Sequence, residues 1–418
     1  MKINGPCRLE GRVNISAGKN AVLPQMAAAL LTDEPCFIEK APRLSDVGTM
    51  LEILNKLGVK TKFDQGGLEI CAENLSSVHA PYEYTHKMRA SVLVMGPLLA
   101  RLGRAEISLP GGCAIGTRPI DMHLKGFEKM GAQIRQNEGY ISAKTGRLKG
   151  AKIYLDLPSV GATENLMMAA TLAEGKTTIE NAAKEPEISD LAMFLTAMGA
   201  KISGFGTDSI EIEGVKKLRG ASHLPIPDRV EAATFMTAAA ATGGDISLCN
   251  VNPRHLSAVS AKLSQTGAEV FEGKDSLRLK AGGAIRPVYL RTMQYPGFPT
   301  DVQAQMMAML CSAPGTSVVN ETIFENRFMH VTELRRMGAD INVQDRVAII
   351  EGVPLLYGAK VNATDLRAGA AMVIAGLMAQ GPTEIHDPHH IERGYEDFSG
   401  KLRSLGADIH SCEGPALE

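Results

Sequence analysis

A short pattern at the end of a helix recurs six times along the chain. In each copy an amphipathic stretch ends in Leu, Met or Thr, and a glycine follows, with a small or β-branched residue and alternating apolar positions after it. Successive copies are 73, 68, 68, 71 and 68 residues apart, at Gly58, Gly131, Gly199, Gly267, Gly338 and Gly406. A glycine between a helix and a strand is a common helix stop. So regular a period predicts six copies of one unit, made by internal duplication.

Each copy contains a second helical stretch of a different character. LPQMAAALL, SVLVMGPLLA and NLMMAATLA are apolar on all sides and rich in small residues, which predicts helices that are buried on every face. The stretches before the repeated glycines, such as TMLEILNKLG and VTELRRMG, have one apolar face and belong on the surface. Strand-like pieces such as AEISLP and hairpin-like runs such as KISGFGTDSIEIEG complete the unit. The predicted unit is βαβαββ, with the buried helices inside and the sheets outside.

The chain length predicts two domains. It has 418 residues, whereas single hydrophobic cores stop growing at roughly 250–300 residues. Six units therefore suggest three per domain, in an α/β fold. Prolines cluster in HLPIPDR, residues 223–229, between the third and fourth copies, and this segment is the predicted boundary.

Composition excludes several classes of function. The net charge is −2 without a long basic run, so nucleic acid is not an expected partner. No uncharged apolar run is long enough to span a membrane, and the N-terminus lacks the apolar stretch of a signal peptide, so we expect a cytoplasmic protein without membrane insertion. The seven cysteines are scattered without CxxC spacing, and the ten histidines show no ligand spacing. The sequence therefore predicts neither disulfides, nor a metal, nor another cofactor.

The segment SLPGGCAIGTRPIDMH, residues 108–123, carries the most distinctive chemistry. Its central Cys113 lies in a glycine-rich connection, where the backbone can approach a ligand closely. An incidental loop cysteine is the alternative. The guanidinium of Arg118, five residues later, favours a reactive thiol, because electropositive and partly exposed surroundings stabilise thiolate.

Polar residues stand where the buried helices begin and in the connections to the outer helices. They are Lys19, Asn20, Arg89, Ser159, Arg229, Asp301, Asp365 and Arg367 at the helix starts, and Arg118, Arg327 and Arg393 in the connections. Helix N-termini carry free N–H groups and partial positive charge, so they bind anions readily. If the inner helices of each domain run parallel, their starts converge on one face, and two opposed faces make a cleft.

Each of these residues has an ordinary explanation when taken alone. A single basic residue is usually a solvated surface charge, and an aspartate at a helix start, such as Asp301, is usually an N-cap. GGCAIG is a weak signal for phosphate binding because it lacks the lysine and the spacing of a Walker loop. The recurrence of charges at corresponding places in the unit favours a functional site for a small ligand with several negative charges.

The motifs together resemble one known family. GKNA, MRAS, LPGGCAIGTRPIDMH, SVGAT, EPEI, PDR, FPTDVQAQ, FENRFMH, ATDLRA and ERGYE occur in this order up to about residue 411. In this the chain is similar to the UDP-N-acetylglucosamine 1-carboxyvinyltransferases, enolpyruvyl transferases of the first committed step of peptidoglycan synthesis. The resemblance implies a two-domain inside-out α/β barrel whose first strand pairs with the C-terminal domain. The implied domains are 19–226, and 1–18 with 227–418.

The resemblance also implies a reaction and its residues. The enolpyruvyl group of phosphoenolpyruvate moves to the sugar 3-hydroxyl of UDP-N-acetylglucosamine, and phosphate is released. Cys113 would be the proton donor, able also to attack C2 of phosphoenolpyruvate, and Asp301 would take the hydroxyl proton. Lys19, Arg118 and Arg393 would hold the phosphate and the carboxylate. The glycines of the Cys113 loop would let it close as a lid.

The remaining implied residues bind substrate. Those that complete the polar cleft are Asn20, Arg89, Arg229, Arg327, Asp365 and Arg367. Those implied along the nucleotide sugar are Arg118, Pro119, Ile120, Asp121, Met122, His123, Leu157, Pro158, Ser159, Val160 and Ile323. The only partners implied are the two small-molecule substrates, and the oligomeric state stays open.

Two departures and two rivals accompany this prediction. Some members carry a lysine where this chain has Leu157 and Pro158, so a diphosphate contact is lost or made by the backbone; SAGKN also stands where SGAKN is more usual. One rival is the shikimate-type enolpyruvyl transferase, which has GNAGTxxRP in place of PGGCAIGTRP and needs no cysteine. The other is a non-catalytic paralogue that binds nucleotide sugar and regulates a partner. The presence of both Cys113 and Asp301 argues against the second rival.

Overall fold

The chain forms two compact units. The structure is a computed structural model that describes residues 1–108, 120–137 and 139–410. Within these ranges the first unit comprises residues 17–226, and the second comprises residues 1–16 together with 227–410. Each unit contains three four-stranded sheets around its own hydrophobic core. This confirms the predicted α/β fold with six small sheets.

All six sheets have the same strand order. Two parallel strands come first, and two more strands continue the sheet with antiparallel pairing. In this order, the sheets of the first unit are Ser222–His223, Cys36–Glu39, Gly67–Cys71 and Lys60–Phe63; His79–Ala80, Arg104–Ser108, Tyr140–Lys144 and Gln133–Asn137; and Lys152–Tyr154, Lys176–Glu180, Ser209–Glu213 and Lys201–Ser203. Those of the second unit are Glu10–Asn14, Asp245–Cys249, Ser276–Lys280 and Glu269–Glu272; Tyr289–Arg291, Thr316–Asn320, Val347–Glu351 and Asp340–Gln344; and Lys360–Asn362, Gly381–His386, Lys2–Gly5 and Ile409–His410.

The first residues of the chain complete sheets that are otherwise made near its end. Lys2–Gly5 lies between Gly381–His386 and Ile409–His410, antiparallel to both. Glu10–Asn14 runs parallel to Asp245–Cys249. Residues from both ends of the sequence therefore share the core of the second unit.

The inner helices are buried on all sides, as their composition predicts. They are Lys19–Ala28 with the 3₁₀ turn Ala29–Leu31, the 3₁₀ turn Arg89–Val94 with Met95–Leu102, Val160–Ala170, Arg229–Ala241, the 3₁₀ turn Thr300–Val302 with Gln303–Leu310, and Leu366–Met378. In Leu366–Met378, for example, every residue from Arg367 to Leu377 is buried. The three inner helices of each unit contact one another. Within the described ranges, no helix has the length and apolar character needed to cross a membrane.

One predicted inner helix differs in its geometry. The stretch SVLVMGPLLA is predicted to be a helix without regard to type; its first part lies in the 3₁₀ turn Arg89–Val94, and the α-helix begins only at Met95. Pro97 has no N–H to bond the carbonyl of Leu93, so it suits the first turn of an α-helix better than its interior. The α-helix accordingly begins two residues before this proline.

The outer helices pack against the sheets and the inner helices. They are Ser45–Lys56, Tyr82–Thr85, Asp121–Lys129, Pro186–Ala197, the 3₁₀ turn Pro253–Leu256 with Ser257–Gln265, Val331–Arg336, His389–Glu392 and Phe398–Ser404. Ser45–Lys56 buries one face, along Asp46, Val47, Met50, Ile53 and Leu54. Pro186–Ala197 is buried over more of its surface because it packs against two inner helices, Lys19–Ala28 and Val160–Ala170.

The six repeated glycines end outer helices in the left-handed region of the backbone. Their φ angles are +93° at Gly58, +92° at Gly131, +104° at Gly199, +106° at Gly267, +92° at Gly338 and +96° at Gly406. An L-residue adopts this conformation at a cost, which glycine avoids because it has no Cβ. The recurring glycine is therefore a backbone requirement of each copy.

Substitution of these glycines by alanine should destabilise the protein to different degrees. We expect Gly131→Ala to lower the free energy of unfolding by about 1 kcal/mol, because an added Cβ meets no atom of the described residues within 4 Å and only the backbone is strained. Gly58→Ala should cost more, since its Cβ would lie 2.3 Å from Ser76 Oγ. Urea denaturation measures both effects.

Gly48 provides a control of opposite sign. It lies inside the helix Ser45–Lys56, and an added Cβ there again meets no described atom within 4 Å. Gly48→Ala should raise the free energy of unfolding by about 0.5–1 kcal/mol, because alanine loses less backbone entropy on folding. If Gly131→Ala stabilised the protein as Gly48→Ala does, the helix-stop interpretation would be wrong.

Candidate active site

Asp301 of the second unit lies between two buried arginines. Its Oδ1 accepts a hydrogen bond from Arg327 Nη2 at 2.8 Å, and its Oδ2 accepts one from Arg367 Nη2 at 3.3 Å. The arginine side chains are only 4% and 6% exposed, whereas the Asp301 side chain is 31% exposed. Asp301 is not the N-cap of its 3₁₀ turn, Thr300–Val302, because Pro299 occupies that position. The carboxylate thus shares its single negative charge between two buried cations and still presents one side to solvent.

A network of further contacts holds Asp301 and Arg367 in place. Gln305 Nε2 donates to the Asp301 carbonyl oxygen at 2.8 Å and to Thr234 Oγ1 at 3.1 Å. The hydroxyl groups of Thr234 and Tyr395 are 2.9 Å apart, and the guanidinium carbon of Arg367 lies 5.5 Å from the Tyr395 ring centroid. These contacts fix the backbone at Asp301 and the guanidinium of Arg367.

The Arg367 guanidinium is stable as a buried cation. Burial alone would lower its pKa, but interactions with Tyr395, Asp301 and Asp228 outweigh this and raise the pKa above its ordinary value. Burial also raises the pKa of Tyr395, although Arg367 opposes that shift. At neutral pH the group therefore combines fixed positive charge with a neutral phenol.

Three buried nitrogens of this cluster have no hydrogen-bond partner among the described residues. They are Arg327 Nε, Arg367 Nη1 and His330 Nε2. Burial, and to a smaller degree the charge of Arg327, lower the pKa of His330 to about 4, although Asp365 opposes the shift. Buried groups of this kind are normally bonded by ligand or ordered water. The N–H groups on Arg327 Nε and Arg367 Nη1 can therefore donate to an oxyanion from fixed positions.

Other predicted residues of the second unit lie at helix ends. Asp365 caps the inner helix, because its Oδ1 accepts from the N–H groups of Arg367 and Ala368 at 2.8 and 3.1 Å. Arg229 begins another inner helix, and its guanidinium carbon is 5.7 Å from the Tyr295 ring centroid. Arg393 is half-buried at the end of His389–Glu392. Asp365 thus has the ordinary capping role, whereas the Asp301 carboxylate bonds two guanidinium groups.

In the first unit, Lys19 forms a buried ion pair. Its Nζ lies 2.8 Å from Asp46 Oδ2, and both side chains are buried. Lys19 is the first residue of an inner helix and is followed by the half-buried Asn20. Asp46 lies in the first turn of the neighbouring outer helix. The predicted anion-binding lysine therefore has an intramolecular counter-charge, which sequence analysis missed because the two residues are on different helices.

His123, Arg89 and Asp121 form a second group in this unit. His123 is buried, and its Nδ1 lies 3.0 Å from Asn165 Nδ2. Since an amide nitrogen only donates, Nδ1 is the acceptor and the ring proton of neutral His123 lies on Nε2. Burial and, to a smaller degree, the charge of Arg89 lower the pKa of His123 to about 3. Asp121 Oδ2 pairs with the exposed Lys125 at 3.4 Å.

The structure describes only some of the other residues predicted for the first unit. Ile120 is buried and Met122 is half-buried, at the start of the outer helix Asp121–Lys129. Ser159 caps the inner helix Val160–Ala170 by accepting from the Ala162 N–H at 3.3 Å. Leu157 is 62% exposed and Pro158 half-buried, so an apolar side chain faces solvent there. The predictions for Cys113, Arg118 and Pro119 lie outside the described residues.

Neutral His123 makes the stability of the protein sensitive to acid. The unfolded chain takes up a proton at the ordinary pKa near 6.5, whereas the folded protein does so only near pH 3. The stabilisation is thus complete above pH 6.5 and is lost as the pH falls towards 3. Between about pH 7.5 and pH 5 we expect His123→Gln, which keeps an acceptor for Asn165, to lose about 2 kcal/mol less unfolding free energy than the wild type. Urea denaturation at the two pH values measures this.

The exposed His86 provides the control. His86→Gln is the same exchange at an exposed position, and because it leaves His123 in place it should show a larger fall in unfolding free energy between the two pH values than His123→Gln shows. An equal fall for His123→Gln would contradict the assignment of a neutral buried imidazole.

Sequence analysis also missed a polar cluster beside Ser16. Glu231 is buried; its Oε2 accepts from the Ser16 N–H at 2.9 Å, and the ammonium group of Lys401 donates to its Oε1. Burial raises the pKa of Glu231 to about 7, although Lys401 opposes the shift. The sequence pattern gives no signal for this pair, because Lys401 is far from Glu231 along the chain.

Comparison with known proteins gives a consistent result. The family model of EPSP synthase (3-phosphoshikimate 1-carboxyvinyltransferase) matches residues 3–402. UDP-N-acetylglucosamine 1-carboxyvinyltransferase 2 of Carboxydothermus hydrogenoformans is 59% identical over 97% of this chain and 98% of its own length. UDP-N-acetylglucosamine 1-carboxyvinyltransferase 1 of Caldanaerobacter subterraneus subsp. tengcongensis is 57% identical over 96% and 97%.

Solved structures share the fold. The enolpyruvyl transferase NikO from Streptomyces tendae superposes with a TM-score of 0.88 and 25% identity over 98% of both chains. An EPSP synthase from Acinetobacter baumannii has a TM-score of 0.75 at 20% identity over 98% of this chain and 99% of that one. The latter likeness concerns the fold alone.

Proposed function

The chain belongs to the EPSP synthase family and, within it, to the UDP-N-acetylglucosamine 1-carboxyvinyltransferases, and we propose that it transfers the enolpyruvyl group of phosphoenolpyruvate to the 3-hydroxyl of UDP-N-acetylglucosamine. The observation that carries the chemistry is the half-exposed Asp301 carboxylate on two buried arginines. The proposal includes the first committed step of peptidoglycan synthesis and a cytoplasmic location, both implied by the resemblance.

The reaction needs one proton removed and one supplied. As the sugar hydroxyl oxygen bonds to C2 of phosphoenolpyruvate, its proton leaves and a proton adds to C3. Loss of a proton from C3 and cleavage of the bond between C2 and the phosphate oxygen then restore the double bond and release phosphate. In the proposal Asp301 takes the hydroxyl proton, and Cys113 supplies the proton to C3.

The electrostatics of the second unit support the role of Asp301. Arg327 and Arg367 hold its carboxylate oxygens at 2.8 and 3.3 Å, which favours the ionised form that a base requires. The network through Gln305 fixes its backbone, so the carboxylate needs little reorganisation. The remaining donors of Arg327 and Arg367 suit the phosphate or carboxylate of phosphoenolpyruvate.

The proposed anion-binding residues of the first unit require an exchange of partners. Lys19 is paired with Asp46, so a bound phosphate would share or displace that carboxylate. Because desolvated ion pairs are costly to break, Lys19 suits a ligand with more than one negative charge. Arg89, Asn20 and the residues from Ile120 to His123 complete this proposed surface of the first unit. In the second unit, Arg393 and Ile323 are proposed as further substrate-binding residues.

An assay of phosphate release tests the proposal. We expect release only when phosphoenolpyruvate and UDP-N-acetylglucosamine are supplied together. Release with shikimate 3-phosphate instead would assign the chain to the shikimate-type transferases, although the relatives at 57–59% identity support the nucleotide sugar. No phosphate release with any acceptor would indicate a non-catalytic nucleotide-sugar-binding paralogue.

A further inference from the structure

The residue after the second strand of a sheet has a simple structural role in two copies of the repeat. Asn181 and Asn250 have φ angles of 55° and 56° at this position. Their side-chain amides donate to the carbonyl oxygens of Leu155 and Ile15 at 2.8 and 2.7 Å. Leu155 and Ile15 each follow the neighbouring parallel strand. The asparagine therefore joins the ends of two parallel strands.

The fifth copy, which also carries Asp301, differs at this position. There the residue is Glu321, whose backbone is not left-handed and whose side chain is fully buried. Its Oε1 accepts from Thr292 Oγ1 at 2.9 Å, and Thr292 follows the neighbouring parallel strand Tyr289–Arg291. Glu321 thus preserves the junction between strand ends by a different chemical group.

The carboxylate of Glu321 reaches two further segments. Its Oε2 accepts from Thr300 Oγ1 at 3.0 Å, and Thr300 immediately precedes Asp301. Its Oε1 also accepts from the N–H groups of Ile323 and Phe324 at 2.8 and 3.2 Å. One buried side chain therefore joins the turn that bears Asp301 to the loop that bears Ile323.

These extra bonds are not needed for the fold. In two other copies an asparagine joins the strand ends with one hydrogen bond. A fully buried carboxylate is costlier, and all the donors to Glu321 are neutral hydroxyl or amide groups. The specialised residue occurs in the copy whose inner helix begins with the 3₁₀ turn that contains Asp301, which links it to the site.

We propose that Glu321 is a positioning residue for enolpyruvyl transfer, which holds Asp301 through Thr300 and the loop at Ile323 through its backbone N–H. This inference rests on the proposed function, because it assigns Asp301 and Ile323 to the reaction. Glu321 itself is buried behind these segments and acts only through them.

Thr300→Val is the sharpest test, because it removes one hydroxyl and leaves the other bonds of Glu321 intact. Misplacement of a catalytic group by about 1 Å can cost 100-fold, so we expect kcat to fall by about 10- to 100-fold. The urea midpoint should change little. The control is Thr316→Val, in the same sheet, whose hydroxyl lies 2.9 Å from both carboxylate oxygens of the exposed Glu351; its kinetics should match the wild type.

Two variants of Glu321 separate positioning from folding. Glu321→Gln keeps an acceptor for the Ile323 and Phe324 N–H groups, and its amide can donate to Thr300, so it should retain kcat within about threefold. Glu321→Ala should lower kcat per folded enzyme and raise the KM for UDP-N-acetylglucosamine. Calorimetric titration with UDP-N-acetylglucosamine should show a correspondingly higher Kd, and so weaker binding, for Glu321→Ala but not for Glu321→Gln.

Wild-type kinetics for Thr300→Val, or unchanged kcat, KM and Kd per folded molecule of Glu321→Ala, would overturn the inference. A wild type that binds UDP-N-acetylglucosamine but releases no phosphate would instead contradict the proposed function. The titration would then still decide the role of Glu321, because it does not depend on turnover.

Discussion

Asp301→Asn is expected to lower kcat for phosphate release by about 10²–10⁴-fold, the usual contribution of a positioned acid or base. The amide keeps the size of the carboxylate and can still accept from Arg327, but it cannot take up the hydroxyl proton. It also leaves Arg327 and Arg367 without their shared counter-charge. The rate should therefore be normalised to the folded fraction, measured by urea denaturation of the same samples.

Asp245→Asn is the matched control for this change. Asp245 accepts hydrogen bonds from Arg278 Nε and Nη2 at 2.8 and 2.7 Å, so it too is an aspartate held by a guanidinium, but that guanidinium belongs to an exposed arginine. Its replacement should leave kcat within about twofold, as for a surface ion pair. If Asp301→Asn kept more than about a tenth of the wild-type kcat, Asp301 would not be the base.

Cys113→Ala is expected to abolish turnover, and the wild type is expected to be inactivated by fosfomycin through alkylation of this thiol. The choice of fosfomycin rests on the family resemblance, and the expected reactivity of the thiol rests on the sequence, in which Cys113 is preceded by two glycines and followed by Arg118. Loss of a proton donor should cost at least about 10²-fold. The phosphate-release assay measures the first effect, and a mass spectrum of the Cys113 peptide after incubation measures the second.

Cys249 offers a control thiol in a comparable electrostatic setting. Its Sγ lies 2.6 Å from Arg12 Nε, and it is half-buried. Cys249→Ala should retain turnover, and the Cys249 peptide should keep its unmodified mass. An unmodified Cys113 peptide in the inactivated wild type would refute the assignment of the reactive thiol.

The repeats could be predicted from the sequence because their signals are local. A positive φ at the end of a helix requires glycine at one position, and the same requirement recurs in all six copies. The inner helices are recognisable from equally local sequence, since a helix that is buried on every face is a stretch without a polar side. The 3₁₀ geometry at Arg89–Val94 was missed because apolar composition does not distinguish the two helical forms.

Pairing between distant residues was much harder to predict. That the first strand pairs with the C-terminal domain followed only from the family resemblance, which did not identify the sheet, because strand pairing over such a separation leaves no periodic signal. For the same reason Asp301, Arg327 and Arg367 were each predicted as site residues, but their mutual contacts were not. Asp46, Tyr395 and Glu321 escaped prediction altogether, since buried polar side chains are recognised by their partners rather than by local sequence.

The position of Lys2–Gly5 has a consequence for biosynthesis. Chains generally fold domain by domain as they leave the ribosome, beginning at the N-terminus. Here the earliest segment to emerge must wait for Gly381–His386 and Ile409–His410, whereas residues 17–226 have all their strand partners once Ser222–His223 has been made. Residues 17–226 are therefore the first part of the chain that can complete its sheets during translation. The strand Lys2–Gly5 is made first but must wait until the end of synthesis for both of its partners.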